Sequence, residues 1–313
     1  MPVEQLPLFA LTRESLLSAA ISGFHEHMIY KGFTENTVNA FLYDLGILTR
    51  YLGEDRPLSR IGTSELNDFL TYLRYYRGVP CKPKSYARRV TTLKVFFGWL
   101  AEEGILPSDP AAPLIHQPAS TPLPQILYDN QVEKLLQATE SLLHADAPSP
   151  VQRGRVGVGV KPDARPHLLV TLLLQTGIKK GECMGVQLSD IDTSEPQVPI
   201  LYIRYSNPKM KHKERKLRLP ADFGPTLRQY LAEYQPKERL FECTARNLEY
   251  VLDNAARLAG LEIISFEILR WTCAVRDYKA NMPSDKLRQK LGLSKITWQE
   301  ASENLKKLAS PPL

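Results

Sequence analysis

The sequence predicts a mainly α-helical protein with one small antiparallel β-sheet, divided into an N-terminal helical bundle and a mixed α+β second domain. Three features point there: apolar residues at helical spacing through residues 12–103, a proline-rich break after Leu106, and the alternating stretches PILYIRYS and KERKLRLP. A chain of 313 residues, 43% hydrophobic and 24% charged, is long enough for two cores.

Each element has a local cause. Leu17, Ile21, Phe24 and Met28 recur at helical spacing after Thr12, a candidate N-cap, and Gly32 closes the segment. A second helix opens near Thr34, carries Val38, Phe41, Leu45, Leu48 and Leu52 on one face, and ends at Gly53. A third begins near Thr63, with Leu66, Phe69, Leu70 and Leu73 inward, and stops at Gly78. The fourth runs from Lys84 to Glu103, with Val90, Leu93, Phe96, Phe97 and Leu100 apolar and the arginines opposite, giving a bundle with one basic outer helix.

Prolines at 107, 110, 113, 118, 122 and 124 forbid a continuous helix, which sets the expected domains at 1–106 and 129–313 with a linker over 107–128. The second domain is expected to start with a helix over 130–143. A Pro-, Gly- and Arg-rich surface loop over 145–166 comes next, then a buried helix over 168–175 punctuated by Gly177. The alternating stretches form a β-hairpin with Lys and Arg on one face. Helices fill the remainder from Pro225, broken near Gly260, Pro283 and Gly292.

Composition narrows the function. The longest apolar run, Leu168 to Leu174, is far short of the roughly 20 residues that span a bilayer, and the first residues lack the pattern of a secretory signal, so a cytoplasmic protein is expected. Cys81, Cys183, Cys243 and Cys273 lie far apart and do not combine with the six histidines at metal-ligand spacing, so reduced thiols and no metal or other cofactor are expected. His25 and His27, two apart on a helix, point in different directions. The net charge of +6 and the sequence pI near 9.0 suit a polyanionic partner. Charge concentrates in Lys82, Lys84, Arg88, Arg89 and Lys94, and again in Arg204, Lys209, Lys211, Lys213, Arg215, Lys216 and Arg218. Read without a motif, these are either two solvated surfaces or a nucleic-acid footprint.

Motifs in order along the chain resemble the tyrosine recombinase (phage integrase) family. NTVNAFLYDLGILTRYL and YARRVTTLKVFFGWLAEEGILPSDPA look like its SAM-like core-binding domain, and TPLPQILYDNQVEKLLQA is similar to the opening of its catalytic domain. LLLQTGIKKGECMGVQLSDID matches the first arginine box, FEILRWTCA resembles the H-x-x-R box, and KLRQKLGLSKIT resembles the LGH segment before the nucleophile.

The resemblance implies a C-shaped clamp on duplex DNA. Two arginines hold the scissile phosphate, a hairpin lysine protonates the leaving oxygen, and a tyrosine attacks. Carried over residue by residue, that set is depleted. Lys179 stands at the first arginine, Arg270 keeps the second, Glu267 replaces the histidine of H-x-x-R, and Leu293 replaces that of LGH. Met210 falls at the hairpin lysine, flanked by Lys209 and Lys211, and Ser302 falls near the tyrosine; no tyrosine follows Tyr278. At about 4 Å from a phosphate, the Glu267 carboxylate costs about 1 to 4 kcal/mol. Its expected escape is to pair with Arg270 or Lys179.

The expected function is therefore a duplex-DNA-binding regulator or accessory subunit of recombination or integration that lacks the nucleophile. Its expected DNA contacts are Lys82, Lys84, Arg88, Arg89, Lys179, Lys209, Lys211, Lys213, Arg215 and Arg270. Alternatives are an active recombinase with an unusual nucleophile, and a scaffold that binds protein without DNA. The C-terminal segment ASENLKKLASPPL is the candidate contact with a second copy or with an active recombinase or transposase.

Overall fold

Most of the chain is ordered into helices whose inward faces build two separate cores. The computed structural model describes residues 11–79, 81–115, 122–144 and 162–310, and two compact units divide between Pro122 and Leu123.

The first unit holds α1 (Leu17–Tyr30), α2 (Glu35–Leu52), α3 (Thr63–Tyr75) and α4 (Pro83–Glu102). The Thr34 side chain caps α2 by accepting from the Thr37 N–H, as its sequence position predicts, and Gly53 takes a positive φ just beyond the last turn. The first helix begins later than the sequence suggests: Thr12 to Ser15 form a hydrogen-bonded turn, and α1 starts only at Leu17. Its apolar stripe meets the others in a core centred on Phe24, Phe69, Phe96 and Phe97. Within the stretch read as a linker, Ala111 and Leu114 are buried in this core, while Leu127 is buried in that of the second unit.

The second unit comprises α5 (Asp129–Glu140), α6 (Arg165–Thr176), α7 (Lys180–Gly185), α8 (Phe223–Tyr234), α9 (Ala245–Leu258), α10 (Phe266–Lys279), α11 (Ser284–Lys290) and α12 (Lys295–Ala309). Of the loop expected over 145–166, residues 145–161 lie outside the described residues, and Arg165 and Pro166 form the first turn of α6, where proline is tolerated. The apolar run Leu168 to Leu174 makes α6 the central helix of the core, and Gly177 ends it in the left-handed region.

One antiparallel sheet of order β1-β2-β3 lies beside it, made of β1 (Ile191–Asp192), β2 (Ile200–Ile203) and β3 (Arg215–Arg218). Leu201 pairs with Leu217 and Ile203 with Arg215, so the hairpin register follows the sequence alternation. The lysines do not ride on a strand, however. Pro208 to Lys213 fold as a 3-10 segment at the hairpin tip, started by the Asn207 side chain accepting from the Lys209 N–H.

Candidate functional site

Glu182 is the centre of the site. It sits at the third position of α7, where its carboxylate accepts the backbone N–H of Lys179 at 2.9 Å. Arg215 approaches from β3 with its planar fork, Nη1 to Oε1 at 3.0 Å and Nη2 to Oε2 at 2.9 Å, and the Tyr205 hydroxyl donates to Oε1. Burial, the largest single influence, raises the Glu182 pKa, but Arg215, Tyr205 and the Lys179 N–H together bring it down to about 2. Burial first, and then the carboxylate, push Tyr205 up to about 12.

Arg215 is therefore not a free surface cation. Its side chain is 8% exposed and its remaining edge donates Nε to the Lys290 carbonyl at 2.7 Å. The expectation that it reaches DNA is corrected: a guanidinium on the inward-facing position of β3, opposite a buried carboxylate, satisfies its donors internally. Gly292 makes room for it, because a Cβ there would come within 2.8 Å of Nη1.

Arg270, on α10, reaches the same region. It donates to the Gly177 carbonyl and, at 2.7 Å, to that of Leu291, so two arginines hold the turn at 290–292 by its main chain. Burial, chiefly, lowers the Arg270 pKa, and the neighbouring Glu182 and Glu267 oppose that. Lys179 behaves alike: burial is the largest influence pulling its pKa down, Arg270 adds to it, and Glu182 resists.

Lys179, Glu267 and Arg270 line one cleft of about 460 Å³, so the structure brings together three of the positions singled out in sequence. Glu267 does not take the partner expected of it. Its Oε1 accepts the indole N–H of Trp271 at 2.8 Å, one helical turn along α10, and neither Arg270 nor Lys179 bonds to it. Lys180, also in the cleft, pairs with Glu249 at 2.9 Å.

The other positions lie elsewhere. Leu293 packs on a small core formed by Ala274, Val275, Leu287, Leu291 and Leu305. Ser302, on α12, donates its hydroxyl to the Gln299 carbonyl of its own helix at 2.9 Å. The segment that the resemblance would lend to a neighbouring subunit is, up to residue 309, α12 folded on α10 of the same chain, with Ala301 and Leu305 buried. Lys209 and Lys211 are exposed at the hairpin tip, whereas Lys213 is half-buried, its Nζ 3.7 Å from the Met210 sulfur.

In the first unit, Lys82 and Lys84 are exposed at the start of α4. Arg88 and Arg89 turn toward Asp44 on α2, at 3.0 Å and 3.3 Å, and Thr92 donates to the same carboxylate at 3.2 Å. Arg89 is buried and also contacts the Cys81 sulfur at 2.7 Å, so its expected place on the DNA-facing side is corrected too. Arg88, which also donates to the Ala40 carbonyl, stays partly exposed. Burial raises the Asp44 pKa more than the two arginines and Thr92 lower it.

Sequence reasoning missed both acid nodes. Asp44 carried a readable signal, because it shares the inward stripe of α2 with Phe41 and Leu48 and so had to find a cation. Glu182 carried less, since its partner lies on a strand 33 positions away.

Among the described residues no group of three or more His, Cys, Asp or Glu stands ready for a metal, and no helix is long and apolar enough to cross a membrane. Cys183 and Cys273 are buried, with burial pushing the Cys273 thiol up to about 12.

Comparison with known proteins fits this geometry. Residues 21–104 match the model of the phage integrase N-terminal SAM-like domain. The chain is 26% identical over 259 residues to tyrosine recombinase XerC of Staphylococcus epidermidis, covering 79% of this chain and 78% of that one. It is 30% identical over 184 residues to tyrosine recombinase XerC of Mycobacterium leprae, covering 58% and 57%. Its fold is that of a lambda integrase dimer bound to a COC' core site, with a TM-score of 0.67 at 18% identity over 96% of this chain and 79% of the other. XerH site-specific recombinase bound to palindromic difH substrate gives 0.67 at 16% identity, over 94% and 82%. The first unit thus carries a phage integrase SAM-like domain over residues 21–104, and over 259 residues the chain is similar in sequence to XerC tyrosine recombinases and shares the fold of lambda integrase and XerH.

Proposed function

We propose that this chain is a cytoplasmic protein that holds duplex DNA on a tyrosine recombinase scaffold without cutting it, as a regulator or an accessory subunit of recombination or integration. The observation that carries the reading is Ser302: the position nearest the family's nucleophile holds a hydroxyl that donates to the Gln299 carbonyl of its own helix, and among the described residues it hydrogen-bonds to no basic side chain. A phosphate attacked in line needs an activated oxygen as well as a cationic cradle. Lys179 and Arg270 supply cations, and Glu267 at the same cleft replaces a donor with a carboxylate. Lys179 keeps the charge of an arginine but not its bidentate fork.

Affinity in this reading comes from phosphate contacts by Lys82, Lys84, Lys179, Lys209, Lys211 and Lys213, with Arg88 and the buried Arg270 at the cleft in a lesser part and Arg89 and Arg215 as internal supports. DNA complexes of lambda integrase and XerH favour a duplex as the ligand. Two assays test the reading. A nicked suicide substrate run on a denaturing gel is expected to give no covalent protein–DNA band, and a band overturns the reading. With about six phosphates neutralised, duplex affinity falls about 10³-fold between 50 and 200 mM salt. A flat salt response instead favours the protein-binding scaffold.

A further inference from the structure

A second cavity, larger than the Lys179 cleft, lies away from it. It is a groove of about 1090 Å³ between β3 and the α11–α12 corner. Its walls carry Lys213, Lys216 and Arg218 from the hairpin side and Lys286, Arg288 and Lys295 from the helical side. Two acids line it, and both are already engaged: Asp277 holds Lys290 at 2.5 Å, and Glu214 accepts the Tyr205 N–H. Lys216 lies over the Tyr202 ring at 5.2 Å, and among the described residues Lys216, Arg218, Lys286 and Lys295 pair with no carboxylate. Leu217, Met282 and Leu293 give the groove an apolar element.

A second feature comes from the sheet order. β3 is an edge strand, and the Leu219 N–H bonds to the Pro199 carbonyl. In that register Leu217 and Arg215 are the next positions bonded to β2, whereas Lys216 and Arg218 turn their backbone N–H and C=O groups away from it. Those groups face the open edge, a template for one more strand.

We propose that this groove takes an extended, acidic segment of a different protein, which adds as a strand to β3 and seats its carboxylates on the cationic walls. Charge alone would suit DNA equally well. Unpaired backbone donors and acceptors at a strand edge are matched by a polypeptide main chain, which offers the complementary row, and not by a phosphate backbone, which offers acceptors only. The inference stands on this groove alone and does not require that the Lys179 cleft hold a phosphate.

The test uses the full chain and, as probe, a fluorescent peptide of about seven residues alternating Glu with Val, read by anisotropy. The wild type is expected to bind it. R218E, whose side chain is exposed and whose melting curve should match the wild type, weakens binding at least about tenfold, and K286E on the opposite wall does the same. N-methylating alternate peptide amides also costs at least about tenfold, because strand pairing needs them. Equal affinity for the N-methylated peptide, or unchanged binding by both variants, overturns the proposal. Displacement of the peptide by a duplex of about 20 base pairs at equal charge assigns the groove to DNA and overturns it as well. So does a wild-type dimer in sedimentation that R218E abolishes, since that gives the edge to a second copy. None of these outcomes depends on strand cleavage, so the proposal and the non-cutting reading fail separately.

Discussion

Two buried acids, one in each unit, meet two different fates. Glu182 in the second unit faces a single arginine that bonds both its oxygens, and its pKa falls to about 2 despite burial. Asp44 in the first unit has two arginines and a threonine, yet its pKa rises. The number of cations does not decide the matter. Arg215 is itself buried and spends its fork on one carboxylate, whereas Arg88 is partly solvated and Arg89 shares its donors with Cys81. A buried charge is held by geometry that satisfies all its lone pairs, and only Glu182 has that.

The sharpest way to break this contrast is to remove one partner. E182A leaves Arg215 buried without its carboxylate and frees the Tyr205 hydroxyl, so chemical denaturation should show a loss of about 3 to 5 kcal/mol. A loss below about 1 kcal/mol would show that water reaches the pair and that the two nodes are alike.

Acid titration separates the nodes by sign. The folded pKa of Glu182 lies below the ordinary glutamate value of 4.5, so its contribution is full above about pH 4.5 and is lost as pH falls toward about 2. Integrated over that window it amounts to about 3 kcal/mol. Asp44 is raised instead, so the fold binds its proton more readily than the unfolded chain, and acidification through that pKa adds stability. Comparing wild type with E182Q and with D44N between pH 6 and 3 checks both: the acid loss shrinks in the first variant and deepens in the second.

D44N should also cost less at neutral pH than E182A, about 1 to 3 kcal/mol, because an amide keeps one acceptor for Arg88 or Thr92 and gives up a charge that burial disfavours. A loss exceeding that of E182A would overturn the ranking of the nodes.

The same contrast explains what the sequence could reveal. The helices of the first unit were legible because Phe24, Phe69, Phe96 and Phe97 sit on strict helical stripes, and the hairpin because Leu201, Ile203 and Leu217 alternate. Basic character was legible too. Which cations remain at the surface was not, because Arg89 and Arg215 look in sequence like the exposed Lys84 and Lys211 beside them. Only the distant acids, Asp44 and Glu182, select the arginines that turn inward. Glu267 escaped prediction for a local reason: Trp271, one turn away on α10, offered its N–H before any cation in the cleft did.

A third polar group in the core extends the comparison at the smallest scale. His167 on α6 is buried, and its Nδ1 lies 3.0 Å from the Thr139 hydroxyl on α5. That hydroxyl also approaches the Leu135 carbonyl at 3.0 Å; with one proton given to the carbonyl, it must accept from Nδ1–H, which leaves Nε2 bare. Burial, the dominant influence, lowers the His167 pKa below 6.5 against the weak pull of Glu140 and Asp222. The unfolded chain then takes the proton first, so stability is intact above pH 6.5 and declines as pH falls through that value toward the folded pKa. The slope from one such histidine is at most about 1.4 kcal/mol per pH unit. H167Q can still donate to Thr139 and removes the titration, so its midpoint in urea should lose that slope between pH 6.5 and 5 while the wild type keeps it. An unchanged slope in H167Q would mean that His167 is protonated as readily in the fold as outside it, and that Thr139 accepts from a ring that water can reach.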